Sequence, residues 1–390
     1  MYIGRITPFS FVPAIVLFII GLSACDQIGQ LLLPAPPDME DVSVEIPIGV
    51  VLPITGRLTS TFGEPTVNGY ELALEEINNS KLGERSVKFI VEDDRSTIEG
   101  AVEAFNKLIA QVGVTVILGP ATSSQAEVVF PIAQENQVVA FSPTSAGRGL
   151  SAIGDYAFRV SLTTDVLIPS GIEATYAKLG YQKAATMYDE SDVFSTDSDA
   201  AVRESLAAKG VEVLVTEAFQ GGDTDFSEQL SRIRDANPDI IFVSSLSPEK
   251  PGILTQGRQL GIPDSVPFVM RTLTIADVRA AGAAAEGAIT FVGWVSTADT
   301  PGNRAFVQTY RAKYGVEPSN SAARSYTTLH VLAEAIANAE STDANAIRDA
   351  LANIADFDTV FGKFSFDAVG DAVYEPKILI VADGQLEFFE

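Results

Sequence analysis

Two periods of apolar positions alternate along most of the chain. Val44–Leu52 (VEIPIGVVL) is a dense β-branched run and predicts a strand, after which Val67, Tyr70, Leu74 and Ile77 recur at helical spacing. Ser86–Glu92 predicts a second strand, followed by a helical stripe of Ile98, Ala101, Phe105, Leu108 and Val112. Val114–Leu118 is apolar throughout, as a strand covered on both faces should be. A helix over Ser123–Asn136 and a strand over Val138–Phe141, ending at Ser142-Pro143, complete the first run.

The alternation then restarts. Helices are expected at Ile168–Leu179, 194–210, Phe226–Ile233 and Glu249–Leu260, and strands at Lys183–Tyr188, Val211–Ala218, Asp239–Ser244, Pro267–Met270 and Ala288–Val292. Three helices follow at Gly302–Tyr314, Ser321–Ala339 and Asp343–Ile354, with closing strands near Gly362–Phe366 and Lys377–Ala382. Repeated βα units imply parallel sheets covered by helices on both faces, and two such runs imply an α/β protein of two doubly wound lobes. Ligands of that architecture sit beyond the carboxyl ends of strands. The informative segments are therefore 53–63, 119–125, 142–148, 189–197, 245–249 and 271–275.

The first 25 residues break the pattern. Arg5 is their only charge, Phe9–Ile20 is apolar, and Leu22-Ser23-Ala24-Cys25 has the form of a bacterial lipobox. The apolar run is short of the ~20 residues of a membrane span and suits a secretory signal. We expect residues 1–25 to be a lipoprotein signal peptide, with Cys25, the chain's sole cysteine, acylated as the mature N-terminus. Residues 26–43, with Pro34, Pro36 and Pro37, read as a tether to the membrane.

Composition narrows the function. With 51 acidic and 26 basic residues the net charge is −25, which repels nucleic acid. One histidine, His330, and one cysteine leave little for a Ser-His-Asp or Cys-His centre or a His/Cys metal site. No nucleophile elbow, P-loop or dinucleotide fingerprint occurs, and no catalytic residue, cofactor or metal is expected. The acids at 189–199 lack the glycine and closing glutamate of a calcium loop. Asp93-Asp94, at a strand exit, suits backbone capping better than acid–base work, and Trp294 suits packing.

The order and spacing of several stretches resemble one family. These are Gly49–Gly56 (GVVLPITG), Asn68–Ala73 (NGYELA), Gly119–Ser124 (GPATSS), Phe141–Ser145 (FSPTS), Asp223–Phe226, Asn237–Ile241 (NPDII), Ala285–Gly287 and Tyr310–Gly315 (YRAKYG). Together they resemble the substrate-binding lipoproteins of ABC transporters for branched-chain amino acids, amides and related molecules, over roughly residues 44–382. The resemblance implies a type I periplasmic binding fold, with two lobes joined by three crossovers. Lobe 1 would hold 44–163 and 294–372, and lobe 2 would hold 164–293 and 373–390. It further implies a monomer outside the cytoplasm that captures a small molecule and delivers it to the permease subunits. A sensor for a membrane receptor is the alternative within this fold, and a secreted hydrolase the weaker alternative outside it.

The same resemblance carries over site residues. Ser123 takes the position where a helix N-terminus binds a ligand carboxylate. Thr144, Ser145 and Ala146 take the ligand-contacting loop, with Ala146 where a hydroxyl usually helps hold an ammonium group. Phe62 and Phe194 take the covering aromatic positions, and Leu246 one that is often aromatic. Arg271-Thr272 stands where amino-acid binders place an acid. An ammonium group without a counter-charge is costly to bury. Of the amino-acid-like, amide or carboxylate ligands the family takes, the expected one therefore carries a carboxylate or similar acceptor but no obligatory α-ammonium.

Overall fold

In the first sheet, strand β1 (Val44–Leu52) is buried continuously from Ile48 to Leu52, because helices cover both of its faces. The computed structural model describes residues 44–80, 82 and 85–389, so the Cys25, signal-peptide and tether expectations lie outside the described residues. Helix α1 (Glu64–Ser80), β2 (Arg85–Asp93), α2 (Ile98–Lys107), β3 (Val116–Leu118), α3 (Ser123–Glu135), β4 (Val139–Ser142) and β5 (Ala157–Arg159) follow. The strands form a parallel sheet in the order β2-β1-β3-β4-β5.

The second lobe repeats the scheme. It comprises α4 (Thr164–Leu179), β6 (Lys183–Asp189), α5 (Val193–Ala208), β7 (Glu212–Phe219), α6 (Ser227–Ala236), β8 (Ile240–Ser244), α7 (Lys250–Gln259), β9 (Phe268–Arg271), α8 (Ile275–Ala281) and β10 (Ile289–Val292). The chain then returns to the first lobe with α9 (Asn303–Tyr314), α10 (Asn320–Ala339), α11 (Ala344–Ala352) and a small antiparallel sheet of β11 (Phe357–Thr359), β12 (Gly362–Phe366) and β13 (Ala372–Val373). It ends on the second sheet as β14 (Lys377–Ala382) and β15 (Gln385–Phe388). That sheet runs β15-β14-β10-β9-β8-β6-β7, parallel except for its two last-formed strands, which pair antiparallel. Among the described residues no helix is long and apolar enough to cross a membrane.

Three short passages join the lobes, at 160–163, 293–302 and 374–376, and they are packed together. The Tyr374 hydroxyl, in the third, donates to the Val160 carbonyl of the first at 3.1 Å. Gly293, in the second, lies so close that a Cβ there would stand 2.6 Å from the Tyr374 hydroxyl oxygen. Helix α10 is held as closely against α1. A Cβ on Gly69 would meet Ser325 Oγ at 2.1 Å and the Ala322 carbonyl at 2.3 Å, so glycine sets the spacing of the two helices.

Strand exits are fixed by capping. Thr122 and Gln125 form a reciprocal capping box at the start of α3. After β2, Asp93 accepts from the Thr55 hydroxyl and amide and from Arg95 N, and Asp94 Oδ1 accepts from Ser96 N at 2.7 Å. Asp94 is fully buried, and desolvation pushes its carboxyl up to about 6. A carboxyl raised in the folded state favours folding while protonated, and that stability is lost as pH rises from about 4 to about 6. Asp94→Asn keeps an oxygen for Ser96 N without the charge. The variant should match the parent at pH 4 and exceed it above pH 6 by about 1–3 kcal/mol. Urea denaturation across that range checks this, and a difference independent of pH contradicts it.

Candidate functional site

Strand order reverses between β1 and β3 in the first sheet and between β6 and β8 in the second. At such a point the neighbouring connections leave to opposite faces and open a crevice beyond the carboxyl ends. The two crevices face one another and enclose one cavity of about 700 Å³, within the range of small-molecule sites. Its wall takes Arg57 and Phe62 from the loop after β1, Ala121–Ser123 after β3, Phe194 after β6, and Ser245–Ser247 after β8.

Most of the residues singled out in the sequence meet here. Phe62, Ser123, Thr144, Ala146, Phe194, Leu246, Arg271 and Thr272 all line the cavity. Ser145 does not. It lies behind the wall, fully buried, with its amide donating to Ser142 Oγ at 3.0 Å. Ser123 has a structural partner set of its own. Its Oγ accepts from the amides of Ala146 at 3.1 Å and Gly147 at 2.9 Å, leaving the hydroxyl proton to donate. The helix start and the 144–147 loop are thus one unit, and Thr144 extends it by donating from its hydroxyl to the Ala121 carbonyl at 2.5 Å.

Arg271 differs more from its expected role. Two of its three guanidinium nitrogens are engaged within the protein: Nη1 donates to Thr164 Oγ1 at 2.9 Å and Nη2 to the Leu162 carbonyl. The side chain therefore ties the end of β9 to the first passage between lobes, and only Nε lacks a partner. Phe194 lies across the guanidinium, 4.9 Å from ring centroid to Cζ, so this aromatic ring supports a cation as well as covering the cleft.

Several cavity residues were not anticipated from the sequence. Lys250, buried at the start of α7, donates from Nζ to the carbonyls of Arg271 at 2.6 Å and Thr272 at 3.1 Å. Those bonds hold Thr272 in a left-handed conformation (φ 55°) that a β-branched residue adopts only under constraint. Burial brings the Lys250 ammonium down to about 8, with Asp277 acting in the opposite direction. Arg324 enters from α10, and Trp294 lines the wall while donating from Nε1 to Asn303 at 2.8 Å.

The lobes touch around the cavity mouth. Ser124 Oγ donates to Asp192 Oδ1 at 2.9 Å and accepts from Val193 N at 3.0 Å, so the N-termini of α3 and α5 share one bridging hydroxyl. Arg57 pairs with the buried Glu249 at 3.0 Å, and Arg148 with Asp197 and Glu204. The acids of the 189–199 stretch are used in such caps and bridges: Asp189 accepts from Ser191, Asp192 caps α5 through Ser195 N, and Asp199 pairs with Arg203. His330, on α10, stands beside Glu76 and 4.4 Å from the Tyr326 ring, away from the cavity wall.

Known proteins share this arrangement. The Leu/Ile/Val-binding protein BraC3 of Rhizobium johnstonii is 26% identical over 338 residues, covering 84% of this chain and 89% of the relative. The leucine-binding protein LivK of Thermotoga maritima superposes with a TM-score of 0.82 at 28% identity, covering 88% of this chain and 98% of that one. The substrate-binding protein LivJ of Streptococcus pneumoniae, solved with isoleucine, gives 0.80 at 28% identity over 88% and 98% of the two chains. A Rhodopseudomonas palustris solute-binding protein solved with benzoate shares the fold, with a TM-score of 0.79 at 23% identity over 88% and 95%. Residues 45–377 match the sequence profile of the periplasmic binding proteins, and the chain belongs to that family.

Proposed function

We propose that this protein is the solute-binding component of an ABC transporter, which captures a small organic carboxylate between its lobes outside the cytoplasm and hands it to the permease. One observation carries the reading: a single cavity of about 700 Å³ is walled by the switch-point loops of both lobes and closed by bonds between them. A cavity built in this way can release its contents when the lobes part, as a carrier requires. The family to which the chain belongs consists of ligand-binding transport proteins, and we read this member as a carrier and not a catalyst.

The wall also favours a class of ligand. The α3 N-terminus offers amides and a hydroxyl proton to a carboxylate. At the end of β9, where an acid would meet an α-ammonium group, stands the buried guanidinium of Arg271, and Ala146 supplies no hydroxyl. Relatives carry names such as Leu/Ile/Val-binding protein, yet here the ammonium half of an amino acid has a cation for a neighbour. We therefore take the ligand to be a carboxylate without an obligatory ammonium group. Cys25, acylated, would hold the protein at the membrane through the 26–43 tether, and we take it to work as a monomer.

Two measurements follow. In a thermal-shift comparison of leucine with its 2-keto acid, the keto acid should stabilise the protein at least as much, since stabilisation follows RT ln(1 + [L]/Kd). Stabilisation by leucine alone contradicts the ligand class. For the anchor, Cys25→Ser should move the protein from the detergent phase to the aqueous phase or leave an unprocessed precursor. Unchanged partitioning removes the lipid anchor from the account.

A further inference from the structure

The described part of the chain places four long cationic side chains deep in its interior, and they are treated differently. Arg159 is fully buried and has its acid: Nε and Nη2 meet Asp371 Oδ1 at 2.8 and 2.6 Å. Lys250 has two carbonyls and faces Asp277. Arg271 and Arg324 are each only 4% exposed, and among the described residues neither forms an ion pair. The Nε of each is a buried donor without an acceptor. Both line the cavity, Arg271 from the second lobe and Arg324 from α10 of the first.

Burial, with the neighbouring charge of Arg324, brings Arg271 down to about 9, and burial also lowers Arg324. The Tyr374 hydroxyl faces Arg324 and acts on both guanidiniums, and Asp165 acts on Arg271 without forming an ion pair with it. Scarcity of acids does not explain the missing partners, since the chain has 51 acidic residues and spends Asp371 on Arg159. An isolated charge in such a place costs several kcal/mol unless something neutralises it. The cavity lies where that neutralising group can enter.

Resting on the carboxylate reading above, we infer that Arg271 and Arg324 form a second anion subsite at the floor of the cavity, so that the solute is a small dicarboxylate. One carboxylate takes the α3 N-terminus and the other lies between the two arginines. Phe194, stacked on Arg271, the half-buried Phe62 and the buried Leu246 flank the carbon skeleton. Because the arginines come from opposite lobes, the second carboxylate binds both at once. It also removes the repulsion between them that the closed form otherwise carries. The ligand is then the counter-ion that closure requires.

Matched acids test this on the full-length protein in detergent. Glutarate against butyrate, adipate against pentanoate, and phthalate against benzoate are compared by calorimetry, with leucine as a separate arm. At least one diacid should bind ten-fold or more tighter than its monoacid. Arg324→Gln should erase that preference, weakening the diacid at least ten-fold while moving the monoacid less than two-fold. The same variant should hold or raise the unliganded melting temperature, because it removes a repulsive buried charge, and Arg324→Lys should restore part of the preference. Equal binding of diacid and monoacid by the parent, or a preference that survives Arg324→Gln, overturns the subsite. Should Arg324→Gln fail to fold, the parent pairs and Arg324→Lys decide alone. Absence of all diacid binding also overturns it, and the other arms then show what remains. Monoacid binding preserves the carboxylate reading, leucine binding alone preserves only a solute-binding cleft, and silence in every arm removes both.

Discussion

Everything at the cleft depends on three chain passages being held together at one edge of two sheets. The Tyr374 hydroxyl joins the third passage to the first, Gly293 lets the second lie against Tyr374, and Arg271 ties the end of β9 to Leu162 and Thr164. With the passages bundled, the carboxyl ends of the two sheets face each other across a single space. Polar backbone at strand ends and helix starts must be satisfied wherever it is buried, and here loops and caps share that work. Ser123 and Lys250 each satisfy two partners while standing at the wall, and Ser124 does so at the contact between the lobes.

Charge is distributed against the composition. The chain as a whole is strongly acidic, but the cavity wall holds more basic than acidic side chains, Arg57, Lys250, Arg271 and Arg324 among them. A low-dielectric cleft lined by one sign concentrates the field and favours the opposite sign in its occupant. The wall thus keeps an excess of cations over Glu64, Asp277 and Glu317 in a chain that is acidic as a whole.

Much of this was legible in the sequence, for identifiable reasons. β1, β3 and β8 are buried on both faces, so their apolar runs were unmistakable, and the rule that sites follow strand ends placed attention on the loops that now line the cavity. β5 and β13 were missed because three and two residues show no period, and β15 because its residues are largely exposed. α8 was missed although Thr274 and Asp277 form a readable capping box. Arg324 had no local signal at all: on a long helical stripe a single arginine looks like a solvated face. It is buried because α10 starts at the cleft and packs closely against α1 at Gly69. Ser145 was misplaced for a related reason, since a loop's order in sequence does not say which of its side chains turns inward.

The central claim is that the lobes close on a solute and part without it. Small-angle scattering from the full-length protein, with and without a saturating carboxylate of measured affinity, tests it directly. A smaller radius of gyration is expected with the solute, as the bridges from Ser124 to Asp192 and Arg57 to Glu249 form across the mouth. Superimposable profiles at full occupancy would contradict it.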